Sequence, residues 1–112
     1  MLVSELVKLI EAENVTPEVE DVEVSSGYTC DLLSWVMAKG KAGCAWVTVQ
    51  THMNVVAVAS LHDMACIICP EGIEPEADSV KKAAEEGIAV LKSPKTAYEI
   101  CVLMGGAGVP AV

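Results

Sequence analysis

The chain has 112 residues, a size that fits one domain, and its 53% hydrophobic content against 21% charged is enough apolar material for a single buried core, which excludes a disordered tail. Sixteen Asp and Glu against seven Lys and Arg give a formal charge of −9, which excludes a partner that is held by its phosphate backbone, because such binding needs a basic surface. Two Trp, two Tyr and no Phe leave Val, Ile, Leu, Ala and Met to build the core, a composition suited to strands that face helices at close range.

In chain order, Leu2, Leu6, Leu9 and Ile10, with Val3 and Val7, recur at helical spacing. Ser4 reads as a cap for this helix, which runs to about residue 13 before Asn14 and Pro17 stop it. Val22 and Val24 alternate with acids, so residues 21–25 read as a short half-buried strand, and Gly27 then breaks the chain. Residues 31–39 carry Leu32, Leu33, Trp35, Val36 and Met37 in helical register, with Gly40 and Gly43 punctuating the end. Residues 45–50 form the clearest strand, with Trp46, Thr48 and Gln50 on one side and Ala45, Val47 and Val49 on the other. A nearly all-apolar helix follows at 53–61, then a fully apolar strand at 65–69 ended by Pro70. Residues 75–86 are an amphipathic helix that opens on acids and has Gly87 ready as a C-cap. A short strand at 88–91 and a helix at 96–104 precede a glycine-rich tail.

Strands that alternate with helices over short connections predict an α/β fold: a single compact domain over 1–112, with a mostly parallel β-sheet and helices packed on it. The most apolar stretch, 53–69, is interrupted by His62 and Asp63 and falls short of the roughly 20 residues a bilayer span needs. The first residues carry acids where a signal peptide has a basic leader, so a cytoplasmic location with no membrane partner is expected. Five cysteines scattered through apolar runs fit reduced thiols in that compartment. The acidic runs 18–23 and 71–78 read as solvated loops and helix starts.

Few residues offer chemistry. Cys66 and Cys69 are formally a CxxC, but within a strand residues three apart point to opposite faces and cannot share a metal. Cys30 and Cys44 fall at loop positions and are the better candidates for reactive thiols, with Lys41 as their only basic neighbour. The tail Gly105-Gly106-Ala107-Gly108 matches a phosphate loop in composition only, since such a loop follows a strand, opens a helix and carries a Lys with Ser or Thr. His52 and His62, the only histidines, have no nucleophile or carboxylate pair at a motif spacing, so no catalytic residues, metal ligands or cofactor are assigned. The seam Gln50-Thr51-His52-Met53-Asn54 joins an apolar strand to an apolar helix, which is both a common turn and a place where α/β proteins hold ligands. Thr51 suits an N-cap, and His52 suits either a solvent-facing first-turn residue or a ligand contact beside Asn54.

Residues 27–38 (GYTCDLLSWVMA) and 45–59 (AWVTVQTHMNVVAVA) together resemble stand-alone members of the DRTGG domain family, and 83–91 with 96–99 resemble that family's C-terminal half. The resemblance implies an α/β domain similar to the N-terminal domain of HPr kinase/phosphorylase and to modules inserted in phosphotransacetylases and CBS-containing pyrophosphatases, where it is regulatory or dimer-forming and not a catalytic centre. The Asp-Arg-Thr-Gly-Gly signature is absent, and Cys69-Pro70-Glu71-Gly72 stand near its expected place. A serine-kinase label, which the relation to HPr kinase invites, is opposed by the lack of a P-loop and its Lys.

The expectation is therefore a non-catalytic regulatory or dimerisation module, a cytoplasmic homodimer that binds a partner protein. The alternative is a small-ligand sensor for a nucleotide or anion, with Gln50, Thr51, His52 and Asn54 at the seam and Tyr28, Asp31 and Ser34 as neighbours across the sheet edge. A thiol-based redox or metal protein is the third reading.

Overall fold

The computed structural model describes residues 1–112. In chain order it contains α1 (Val3–Leu9), β1 (Glu13–Asn14), β2 (Ser26–Thr29), α2 (Leu33–Lys39), β3 (Cys44–Val47), α3 (Met53–Leu61), β4 (Cys66–Cys69), α4 (Ala77–Glu86), β5 (Ala89–Lys92) and α5 (Ala97–Gly106). The strands form one sheet in the order β1-β5-β4-β3-β2. Neighbours from β2 to β5 are parallel, and β1 is antiparallel to β5 at the edge. This is the mostly parallel α/β sheet that the alternating pattern predicts, in one compact unit.

Each parallel connection steps to the next strand in the same direction, so crossovers of one hand place α2, α3 and α4 on a common face. The side-chain alternation shows it. Cys44, Trp46, Ile67, Cys69 and Val90 pack with Val36 of α2, Val55, Val56, Val58 and Ala59 of α3, and Ala83 of α4. Ala45, Val47, Cys66, Ile68, Ala89 and Leu91 face the other way, onto Val3 and Leu6 of α1 and Ile100 and Met104 of α5. Cys66 and Cys69 thus point to opposite faces, as their spacing requires. Strands β3 and β4 are buried throughout, which is why both read as continuous apolar runs.

Buried polar groups tie the layers together. Thr16 Oγ1 accepts from the Val90 N–H at 2.9 Å and donates to Asn14 Oδ1 at 3.0 Å, fastening the β1 turn to β5. Ser93 Oγ donates to the Ile10 carbonyl at 2.6 Å, linking the end of β5 to the end of α1. Trp46, fully buried, donates its indole N–H to the Cys30 carbonyl at 2.9 Å. These bonds satisfy groups that would otherwise be costly inside the core.

Several boundaries differ from the sequence reading. Residues 21–25 are extended but are not a strand of the sheet. Val3 N–H donates to the Val22 carbonyl and Val24 N–H to the Met1 carbonyl, with an isolated bridge between Leu2 and Glu23. The alternation of Val22 and Val24 therefore reports packing beside α1, and the strand lies one step later, where Gly27 sits inside it. A Cβ at Gly27 would stand 3.3 Å from Met104 Cε, so the glycine serves close approach and does not break the chain. Strand β1 escapes a pattern reading because two residues cannot show a period.

α1 ends at Leu9, and Glu11, at φ 53°, turns the chain into β1. Ser4 is no cap; its hydroxyl and N–H both donate to Asp21, at 2.6 and 3.0 Å. Gly87 closes α4 in the left-handed conformation at φ 74°, as expected of a C-cap glycine. Gly105 and Gly106 belong to α5, and the tail after them returns to β2. There Gly27 N–H donates to the Pro110 carbonyl at 2.8 Å and Val112 N–H to the Gly27 carbonyl at 3.3 Å, which covers part of the free sheet edge.

Candidate functional site

In a parallel sheet every strand-to-helix connection emerges at the same end, so the seam after β3 and the connection after β4 are neighbours. The first turns of α3 and α4 line one open groove of about 450 Å³, formed by His52, Met53, Asn54, Glu76, Asp78 and Ser79. Beside the seam lies a second, small cavity of about 10 Å³ bounded by Gln50, Thr51, His52, Val55, Cys69 and Ser79 among others, room for no more than one water.

His52, not Thr51, is the N-cap of α3, and neither α3 nor α4 has a side-chain cap bond. Thr51 is displaced from the cap because the chain stays extended one residue further, and its partly buried side chain faces the cavity. The N–H groups of Met53 and Asn54 in α3, and of Ala77, Asp78 and Ser79 in α4, bond to no other group of the chain. Two positive helix ends therefore meet at the groove. Ser79 is 5% exposed and its Oγ has no hydrogen-bond partner. It lines both the cavity and the groove.

The seven seam candidates are not all brought together. Gln50, Thr51, His52 and Asn54 stand at the groove and cavity. Asp31 serves the seam from behind: its carboxylate accepts from Thr48 Oγ1 and from the Val49 N–H, both at 2.9 Å, while Gln50 Nε2 donates to its carbonyl at 3.1 Å. Tyr28 lies on the edge strand β2 and lines a different groove, of about 470 Å³, with Met104, Val109 and Val112. Ser34 is exposed on α2 and lines neither the groove nor the cavity. The residues that sequence reasoning missed are Glu76, Asp78 and Ser79. The parallel order of β3 and β4 was their signal, since it forces the two first turns side by side.

The thiols are separated and mostly inaccessible. Cys44 is not in a loop; it opens β3 and is fully buried, which pushes its pKa up to about 11. Burial also pushes Cys69 up to about 11, and Cys66 in the same direction. Cys30 is partly buried, and all five cysteines are free. No three His, Cys, Asp or Glu side chains gather as metal ligands.

A second surface feature is apolar. α3 is hydrophobic all round, and besides its buried side it presents Met53, Ala57 and Leu61 outward at a spacing of four. Beside it on the same sheet face, α2 and its cap expose Leu32, Trp35 and Met37. Leu32 is 63%, Trp35 53% and Leu61 67% exposed, far from the burial usual for such residues. Residues 32–62 contain no Asp or Glu at all, although the chain has 16. Lys39 and Lys41 are the only charges there, and Lys39 stands over the Trp35 ring at 5.5 Å. No helix is long and apolar enough to cross a membrane.

No family model and no curated protein sequence matches the chain. Among solved structures, the CBS and DRTGG domains of the regulatory region of a Clostridium perfringens pyrophosphatase, complexed with the activator diadenosine tetraphosphate, superpose with a TM-score of 0.74 at 12% identity. The match covers 90% of this chain and 44% of the solved one, so the chain spans less than half the length of that relative. The likeness shows a DRTGG-like fold.

Proposed function

We propose that the chain is a non-catalytic regulatory module of the cytoplasm that works as a homodimer and presents a partner protein with the paired unit. The carrying observation is the acid-free stretch 32–62, whose helices α2 and α3 expose Leu32, Trp35, Met53 and Leu61. Two copies charged −9 repel at long range and can meet closely only where that charge is missing. A two-fold contact brings the same patch of each copy together, so this face suits itself. The structural neighbour is part of a regulatory region, which supports the regulatory half of the reading.

Light scattering on a sizing column tests it. The expected mass at micromolar concentration is twice 11.7 kDa, falling to 11.7 kDa in the double variant Trp35→Glu, Leu61→Glu with its circular dichroism retained. A monomeric wild-type protein would remove the dimer.

The second reading is a ligand sensor at Gln50, Thr51, His52 and Asn54, with Asp31 holding the seam in place and Tyr28 and Ser34 more distant. The shared groove of α3 and α4 favours it, and so does the activator bound to the neighbour's regulatory region. A polyphosphate is a poor fit, because Glu76 and Asp78 border the groove and the small cavity beside the seam admits only a water. A nucleotide held there would lose its affinity in His52→Ala and Asn54→Ala while the melting temperature stayed nearly constant.

A further inference from the structure

Strand β2 is a free edge of the sheet, and a short segment of the chain's own tail lies along it, with Ala111 bridged in parallel to Gly27. Cys30 N–H donates to the Val47 carbonyl, so Gly27 and Thr29, one residue out of phase, turn their backbone groups outward from β2. Val109 is anchored, since its N–H donates to the Met104 carbonyl at 3.0 Å and its side chain packs on the core. Beyond it the hold is weak. Pro110, Ala111 and Val112 have exposed side chains and are tied to β2 only by two main-chain bonds, both to Gly27. Thr29, the next outward residue of the edge, receives no bond from the tail. The groove of about 470 Å³ beside this segment is lined by Thr29, Cys101, Met104, Gly105 and Val112 among others, and by no charged residue. Cys101 and Gly105 share one face of α5 with Tyr98 and Val102, which are 80% and 55% exposed, so the groove opens onto an apolar helix side.

We propose that the β2 edge is a docking site for an extended, uncharged, β-branched segment of a partner protein, which adds as a further parallel strand in place of residues 110–112. The tail itself identifies the chemistry of the occupant. It sits on the edge as an extended uncharged chain, with Gly27 N–H donating to the Pro110 carbonyl at 2.8 Å and Val112 N–H donating to the Gly27 carbonyl at 3.3 Å. A partner segment makes the same two bonds and adds bonds to Thr29, which the tail leaves unpaired. Its alternate side chains then fill the groove against Met104 and Cys101, space that the tail leaves open. Lifting three residues that bury no side chain is a local opening of low cost. In the free protein the tail is a strap over an edge that would otherwise be bare. A charged segment finds no counter-charge in the groove, and an acidic one is repelled by the chain's charge of −9. The inference rests on the partner-protein half of the reading above and gives that partner a contact surface separate from the dimer face on α2 and α3.

The probe is the peptide Gly-Val-Pro-Ala-Val-Thr-Val, the sequence of residues 108–112 extended along the edge by Thr-Val, titrated into the isotope-labelled 112-residue protein and followed by its amide signals. The amides of Gly27, Thr29 and Val102 are expected to shift together, and exchange of the Thr29 amide is expected to slow as it gains an acceptor. Val112→Pro removes the tail's N–H to Gly27 at an exposed position, so this variant is expected to bind the peptide several-fold more tightly than the wild type with its circular dichroism unchanged. The same peptide N-methylated at its last two valines, which cannot donate to β2, is expected not to bind. The proposal is overturned if neither protein binds at about 1 mM, the weak end of specific affinity, or if the N-methylated peptide binds as well. It is overturned too if a wild-type dimer survives Trp35→Glu, Leu61→Glu but dissociates in Val112→Pro, which would make the occupant the tail of a second copy. A monomer that binds the peptide keeps this inference and removes the dimer, and a dimer that leaves the peptide unbound removes this site and keeps the dimer.

Discussion

Single residues decide how the β1 turn and the thiols behave. Thr16 Oγ1 is the acceptor for the Val90 N–H in the core, so Thr16→Val, nearly the same shape, leaves that N–H without a partner. Its cost is expected at about 1–3 kcal/mol in a urea titration, and a neutral result would show that β5 relaxes toward another acceptor. The cysteines make a pH-dependent contribution with a definite sign. Cys44 and Cys69, both raised to about 11, stay protonated in the fold after the unfolded chain has begun to ionise. Their contribution is therefore complete below the unfolded thiol value near 8.5 and is lost as pH rises from there toward about 11. Thermal melts should fall across that window, and at pH 8 a thiol reagent should leave Cys44, Cys66 and Cys69 unmodified until denaturant is added. Rapid reaction of all three in the native protein would contradict their burial. Asp31 ties the seam to the start of α2: its carboxylate accepts from the Thr48 hydroxyl and the Val49 N–H, and its carbonyl accepts from the Gln50 side-chain amide.

Among the elements, α3 and α4 were legible to within a residue or two because their signals are local, a long apolar run in one case and an acid-led amphipathic stripe closed by glycine in the other. α5 is closed at its start by a reciprocal pair: Glu99 N–H donates to Thr96 Oγ1 and Thr96 N–H to Glu99 Oε1, both at 3.1 Å. The hydrogen bond that the carboxylate accepts from the Thr96 N–H, foremost among its contacts with Thr96, holds the Glu99 carboxyl below its ordinary value. Thr96→Ala should cost about 1 kcal/mol and fray the first turn of α5, seen as faster amide exchange there. Unchanged exchange would mean that packing of Ile100 and Met104 alone holds the helix. The extended segment 21–25 illustrates the opposite case. Its period-2 pattern was correct about conformation and uninformative about partner, because alternation records which side is buried and not which backbone supplies the hydrogen bonds.

For the whole molecule, charge and apolar surface are distributed unevenly, and self-association is where that distribution becomes measurable. Raising ionic strength screens the repulsion between acidic copies while leaving the buried apolar contact, so the proposed dimer should tighten with salt. A dimer that dissociates as salt rises would point instead to an interface of ion pairs. The sequence by itself determined the α/β class, the mostly parallel sheet and nearly all of the helices, because amphipathic period, apolar runs and cap glycines are written in adjacent residues. It also set the expectation against a phosphate-backbone partner, since net charge needs no fold. Only the tertiary structure decided that Tyr28 belongs to a different groove from His52, that Cys44 is buried, and that Glu76, Asp78 and Ser79 stand beside the seam. Those facts depend on which strands lie side by side, and adjacency between segments more than 20 residues apart in this chain is fixed by packing the two faces of one sheet, not by any local pattern.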